Sequence, residues 1–264
     1  MHPELFSIGP LTIPTYGFFV AMGFAVALLV TTRIGKAHGL ESPQIMDMGF
    51  IIILCAIIGS RLGYVLLNPS YYLNQPLDIF KTWEGGLVFS GGIVLVVLVM
   101  SWYLKRHNLP YWKTADLWAP GMAIGQAIGR IGCFMAGCCY GQPTDVKWCV
   151  VFTHPKSLAP HDICLHPTQL YSSLAGFIIF AILMLLTAKK RFDGQVFIWL
   201  IILHSSARLF IERFRGDYRG LIPGTEMSIT QLIALLLLIA AVITLFVIKS
   251  RRKNDVAPPN TSKQ

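Results

Sequence analysis

Charge is scarce in this chain. Only 13% of its 264 residues are charged, while 54% are hydrophobic, and its apolar runs are longer than a soluble core helix needs, so a soluble globular domain is excluded and the bilayer is the expected solvent. Acids are the scarcer sign, 13 against 22 Lys and Arg. The resulting net charge of +9 falls in short clusters between apolar runs, with no basic stripe and no nucleic-acid motif, so no nucleic-acid partner is expected. The start, Met1 to Pro14, holds Glu4 but no Lys or Arg, so it lacks the basic region of a cleaved leader and the first apolar run is expected to stay attached. The six cysteines and seven histidines include no C-x₂-C and no suitable His pair, so neither metal nor cofactor is expected. Gly-x-Ser-x-Gly and a pair of membrane aspartates are also missing, which argues against an intramembrane protease. No long repeat occurs, only Arg-Leu-Gly at Arg61 and Arg-Ile-Gly at Arg130, too little for an inverted-repeat transporter.

What is present is a series of about seven apolar segments, at roughly 16–32, 46–67, 86–104, 114–137, 168–188, 196–214 and 228–248, the fourth being the least apolar. They predict an all-α polytopic membrane protein. Thirteen Lys and Arg fall on one set of connections and six on the other. The positive-inside rule then puts the N-terminus outside and the C-terminus in the cytoplasm. Residues 1–250 are expected to form a single transmembrane catalytic domain, and 251–264 a disordered basic cytoplasmic tail.

Three cations remain inside apolar segments: Arg61, Arg130 and Arg208. A central intramembrane Arg costs roughly 3 kcal/mol, and such residues pair within the protein, snorkel to the interface or line a polar cavity. All three fall in the outward halves of their segments. Tyr16, Trp83-Glu84-Gly85-Gly86, Ser90-Gly91-Gly92 and His166-Pro167-Thr168-Gln169 share that side, so a polar cavity is expected in the outer half of the bundle.

His204, Arg208, Glu212 and Arg215 are spaced four, four and three, which places them on one helical face and lets Arg208 pair with Glu212. With Arg213 following, the face stays positive, and surplus guanidinium suits a phosphate. Gly121, Gly125 and Gly129 form a small-residue packing row. It leads into Cys133-Phe134-Met135-Ala136-Gly137-Cys138-Cys139-Tyr140-Gly141, a glycine-rich turn expected to be exposed, with backbone N–H groups open to an anion. Cys133, Cys138 and Cys139 lie near Arg130 in sequence, which fits either small-residue packing or an activated thiol. Cys55 reads as core, and the spacing of Cys149 and Cys164 leaves a disulfide open. His166 and His204 fit either acid/base chemistry or structural hydrogen bonding.

Together these residues resemble the prolipoprotein diacylglyceryl transferase family over nearly the whole chain. The likeness rests on Gly129 to Gly141, Tyr16-Gly17, Gly59-Ser60-Arg61-Leu62-Gly63-Tyr64, Glu84-Gly85-Gly86 with Gly91-Gly92, His166-Pro167-Thr168-Gln169-Leu170-Tyr171, and Arg208 with Glu212 and Arg215. The resemblance implies seven transmembrane helices and a bacterial inner-membrane enzyme whose active site faces the periplasm. It implies transfer of diacylglycerol from phosphatidylglycerol to the lipobox cysteine of a prolipoprotein signal peptide, with release of glycerol 1-phosphate.

By the same resemblance Arg130 binds the lipid phosphate, Arg208 is the second essential guanidinium, and Tyr16 and Gly141 match further important positions. Some relatives carry histidine at Ser90, asparagine at Cys133, glutamate at Cys138 and tyrosine at His204, so the general base is not inherited from the pattern. The expected catalytic set is Arg130, Arg208, His204 and Glu212. The expected substrate-binding set adds Tyr16, Arg61, Ser90, Cys133, Gly141, His166, Gln169 and Arg215. A transporter for an organic anion is the rival reading, since it too needs arginines in a polar cavity.

Overall fold

The structure, a computed structural model, describes residues 2–8, 11–81, 85–217, 220, 224, 225 and 227–256. Trp83, Glu84 and residues 257–264 of the tail lie outside the described residues. The chain opens with an antiparallel hairpin, β1 (Glu4–Ile8) and β2 (Leu11–Pro14). Helices α1 (Thr15–Ala37), α2 (Ser42–Leu67), α3 (Pro69–Asn74), α4 (Phe89–Arg106) and α5 (Tyr111–Ala136) follow, with a 3₁₀ turn at Pro76–Phe80. A strand pair, β3 (Val150–Val151) and β4 (Cys164–Leu165), then precedes α6 (Thr168–Ala188), α7 (Gln195–Glu212) and α8 (Ile229–Val256).

The protein is an all-α polytopic membrane protein. Among the described residues six helices are long and apolar enough to cross a membrane, namely α1, α2, α4, α6, α7 and α8 up to Ser250. Helix α5 has 26 residues, about 39 Å of helix and ample for a crossing. Its composition is what sets it apart, because Asp116, Gln126 and Arg130 interrupt its apolar surface. Large side chains such as Val97 and Trp102 on α4 and Leu236 and Phe246 on α8 stand exposed, as suits helices solvated by lipid.

The chain divides into two compact units, residues 31–114 and residues 1–30 with 115–264. In the first, α2 and α4 meet through glycines. A Cβ at Gly59 would lie 2.6 Å from the Gly91 carbonyl oxygen, and one at Gly91 would lie 2.4 Å from the Gly59 oxygen. No larger residue allows that approach, the familiar means of helix association where water supplies no driving force.

In the second unit α5 is the centre. Ala119 and Ala123 of α5 pack with Ile179 and Leu183 of α6 and with Val196 and Leu200 of α7. Gly176 of α6 closes on Ala127, whose carbonyl accepts a 2.8 Å hydrogen bond from the Ser173 hydroxyl. Asp116, 1% exposed, accepts from the Gly194 and Phe197 amides at 2.8 and 3.0 Å and pairs with Lys190 at 3.4 Å. That carboxylate satisfies orphan donors at the start of α7 and complements its dipole, so a buried acid is stable there.

The glycine row expected on α5 holds only in part. Gly125 packs against Gly23 of α1, and Gly132 admits the Tyr16 backbone. A Cβ at Gly129, by contrast, would meet nothing within 4 Å, so Gly129 is not a packing residue.

Candidate active site

The second unit gathers most of the predicted site around the end of α5. Arg130 is partly buried and forms no ion pair or hydrogen bond among the described residues. It lies within electrostatic reach of Tyr16 at the start of α1, Cys133 on its own helix and His204 on α7. Next in the chain to the open space that Gly129 leaves, Arg130 presents a guanidinium that no described residue engages.

Arg208 is within reach of the same His204. Its Nη2 pairs with Glu212 Oε2 at 2.8 Å, one turn along α7. Glu212 is buried, and its Oε1 accepts from the Ser228 and Thr230 hydroxyls at 3.1 and 2.7 Å. The carboxylate is therefore anchored at the start of α8 and fixes Arg208 in turn.

Arg215 departs from the expected helical face. Helix α7 ends at Glu212, and Arg215 instead forms an isolated antiparallel bridge with Gly141. Its guanidinium grips Asp217 with two bonds, Nε to Oδ1 at 2.8 Å and Nη2 to Oδ2 at 2.7 Å, so the expected surplus of positive charge is reduced here. Arg215 is only 6% exposed, and its buried Nη1 has no hydrogen-bond partner among the described residues.

The turn from Gly137 to Gly141 is not the exposed anion nest that its glycines suggest. Gly137 and Gly141 are buried. The Gly137, Gly141 and Gln142 amides donate to Phe134, His166 and Phe214 carbonyls. These donors serve the chain's own backbone and are closed to a ligand. Gly141 is required by crowding, since a Cβ would lie 2.4 Å from the His166 oxygen and 2.8 Å from that of Phe214.

Helix α6 holds the same turn. Gln169, fully buried, donates to the Cys138 carbonyl at 2.8 Å, and Thr168 donates to that of Cys139 at 2.8 Å. His166 Nδ1 lies 3.2 Å from the Tyr171 hydroxyl, to which Trp148 also donates, and its ring packs on Phe214 at 5.2 Å. Gln169 and His166 therefore organise the wall of the site. Beyond them, Cys149 and Cys164 form a disulfide across β3 and β4, with Cα atoms 5.4 Å apart.

Sequence spacing gave no sign of one further feature. The Sγ atoms of Cys133, Cys138 and Cys139 all lie within 4.8 Å of one another. Cys139 has φ +63°, a conformation rare for a side-chain-bearing residue, and it turns the vicinal thiols toward Cys133. Contacts from the Cys133 and Cys138 thiols, joined by Arg215, hold the Cys139 thiol well below the usual range.

Arg61 and Ser90 belong to the first unit. The Arg61 guanidinium donates to the carbonyls of Ile79 at 2.8 Å, Gly85 at 2.7 Å, Gly86 at 3.2 Å and Asp78 at 2.5 Å. It also lies over the Tyr64 and Tyr72 rings at 5.9 and 5.5 Å. Four of its five N–H groups are thus used by the chain. A cavity of about 300 Å³ adjoins it, lined also by the Asp78 carboxylate that Lys81 and Tyr71 bind. Ser90 stands exposed in the first turn of α4.

Residues 3–247 match the family model described as prolipoprotein diacylglyceryl transferase. Among curated relatives, the phosphatidylglycerol--prolipoprotein diacylglyceryl transferase of Clostridium tetani is 33% identical over 253 residues, covering 96% of this chain and 100% of the relative. That of Bordetella avium is 35% identical over 259 residues, with 96% of each chain covered. That of Aliivibrio salmonicida is 35% identical over 275 residues, covering 100% of this chain and 95% of the relative.

Proposed function

We propose, on the premise that the chain belongs to the prolipoprotein diacylglyceryl transferase family, that Arg130 receives the phosphate of phosphatidylglycerol. The protein is a transferase of the first step of lipoprotein maturation. Its acceptor is the lipobox cysteine of a prolipoprotein signal peptide in the bacterial inner membrane. The observation that carries the phosphate assignment is the guanidinium of Arg130, without a partner among the described residues and next in the chain to open space at Gly129, while Arg208 and Arg215 are tied to carboxylates.

The acceptor thiolate attacks the glycerol carbon that bears the phosphate ester. A carbon–sulfur bond forms, the carbon–oxygen bond breaks, and its electron pair leaves with glycerol 1-phosphate. The enzyme supplies no nucleophile. Arg130 holds the phosphate and meets the charge that grows on the leaving oxygen, where a preorganised donor is most effective. Arg208, fixed by Glu212, supplies the second positive group.

His204 sits near both guanidinium groups and is the base proposed to take the acceptor thiol's proton. Tyr16, at the mouth of α1 and 45% exposed, borders the same space. His166, Gln169, Gly141 and Arg215 shape its wall. Arg61 is assigned to holding its own loop. The seven-helix topology, with the N-terminus outside and the site toward the outer face, follows from the charge count and from counting α5 as a crossing.

Purified protein given labelled phosphatidylglycerol and a lipobox peptide is expected to add the mass of diacylglycerol to the peptide cysteine. No product from wild type, or full activity in Arg130→Ala, overturns the assignment. An active His204→Phe enzyme with an unchanged pH profile removes His204 as the base.

A further inference from the structure

The three thiols at the end of α5 form a compact ligand set that the proposed transfer chemistry does not use. A metal–thiolate bond of about 2.3 Å arranged trigonally separates the sulfurs by about 4 Å. The Sγ atoms of Cys133, Cys138 and Cys139 already lie within 4.8 Å of one another, so small side-chain rotations close the triangle. The scaffold is rigid where it needs to be. Cys133 is held by its helix, while Gln169 and Thr168 pin the Cys138 and Cys139 carbonyls.

Disulfide pairing is a poorer outcome for the vicinal pair. Consecutive Cα atoms are about 3.8 Å apart, closer than a relaxed disulfide places them. Positive charge stands beside the cluster: Arg215 lies against Cys139, with a buried Nη1 that no described residue satisfies.

From this geometry we propose that Cys133, Cys138 and Cys139 form a three-thiolate site for a soft d¹⁰ cation, with Cu(I) as the fitting ion. Soft sulfur ligands select Cu(I), whereas a tetrahedral zinc site calls for a fourth ligand. Each cysteine gives up a proton and each sulfur donates an electron pair, with no change of oxidation state.

The test uses the full chain in detergent micelles, without oxygen and with ascorbate, which keeps copper monovalent. Cu(I) is titrated against the chromophoric chelator bicinchoninate. One equivalent is expected to be withheld from the chelator, with X-ray absorption showing three sulfurs at about 2.3 Å. Cys133→Ser, Cys138→Ser and Cys139→Ser are each expected to weaken retention by more than about 100-fold, while Cys55→Ser leaves it unchanged. A wild-type measurement guards against variants that fail to fold: bound Cu(I) is expected to shield all three thiols from N-ethylmaleimide, read by peptide mass spectrometry. No retained copper, equal retention in the serine variants, or unaltered labelling of the three thiols overturns the proposal.

Discussion

Arg61 and Arg130 open the same short motif, Arg-Leu-Gly and Arg-Ile-Gly, in two helices, yet the two units treat them differently. Arg61 is 7% exposed, and its donors are spent on four carbonyls around a 3₁₀ turn. Arg130 is left without an ion pair among the described residues, and its chain neighbour Gly129 leaves open space. The comparison teaches that a costly intramembrane cation is not by itself a functional sign. Its donors must be counted: where the chain consumes them the arginine is architecture, and where it does not, a ligand is expected to.

That contrast is open to attack, most forcefully at Arg130. Arg130→Ala is expected to lower the transfer rate by about 10²- to 10³-fold or more with its thermal unfolding unchanged. Arg130→Lys is expected to recover part of that loss, since an ammonium offers a charge without the bidentate fork. Arg61→Ala is expected to show the converse, a loss of about 1–3 kcal/mol in stability, because it strips the donors from four part-buried carbonyls, measured as a lower unfolding midpoint in detergent. A fully stable but inactive Arg61→Ala protein would erase the distinction between the two arginines.

Gly141→Ala comes next. Its Cβ forces the 140–142 segment away from His166 and Phe214, at about 1–3 kcal/mol, read in the same melt. Glu212→Gln has the smallest expected effect, about tenfold in rate. The amide still accepts from Ser228 and Thr230 but no longer fixes Arg208 by charge. The drop is expected in kcat with little change in the pH profile, as suits a positioning residue.

Much of this was legible in the sequence, because period and composition are local. The apolar runs marked the long helices, and the i, i+4 spacing of Arg208 and Glu212 produced the expected ion pair. Arg215 was misplaced because the helix stops at Glu212, an end that no glycine or proline announces. The Gly137–Gly141 turn was misread for a related reason. Its glycines look like an anion nest, but both are buried, and His166 and Phe214, remote in sequence, supply the carbonyls that occupy the amides of Gly141 and the adjoining Gln142. The three cysteines were noticed together beside Arg130 but not as a ligand set, because C-x₄-C-C matches no zinc spacing and their sulfurs are brought together by a turn in which Cys139 has positive φ. Asp116 had no signal at all, since its partners at Gly194 and Phe197 are set by how α5 and α7 pack.

The bare backbone at Gly129 offers a gauge for whatever lodges beside Arg130. A methyl group there touches nothing in the protein, and alanine improves helix propensity by about 1 kcal/mol. Widening the side chain stepwise from Gly129→Ala through valine to leucine trims that room, with the melting point reporting where the fold itself becomes crowded. The size at which lipid affinity collapses while the melting point holds measures the girth of the bound headgroup.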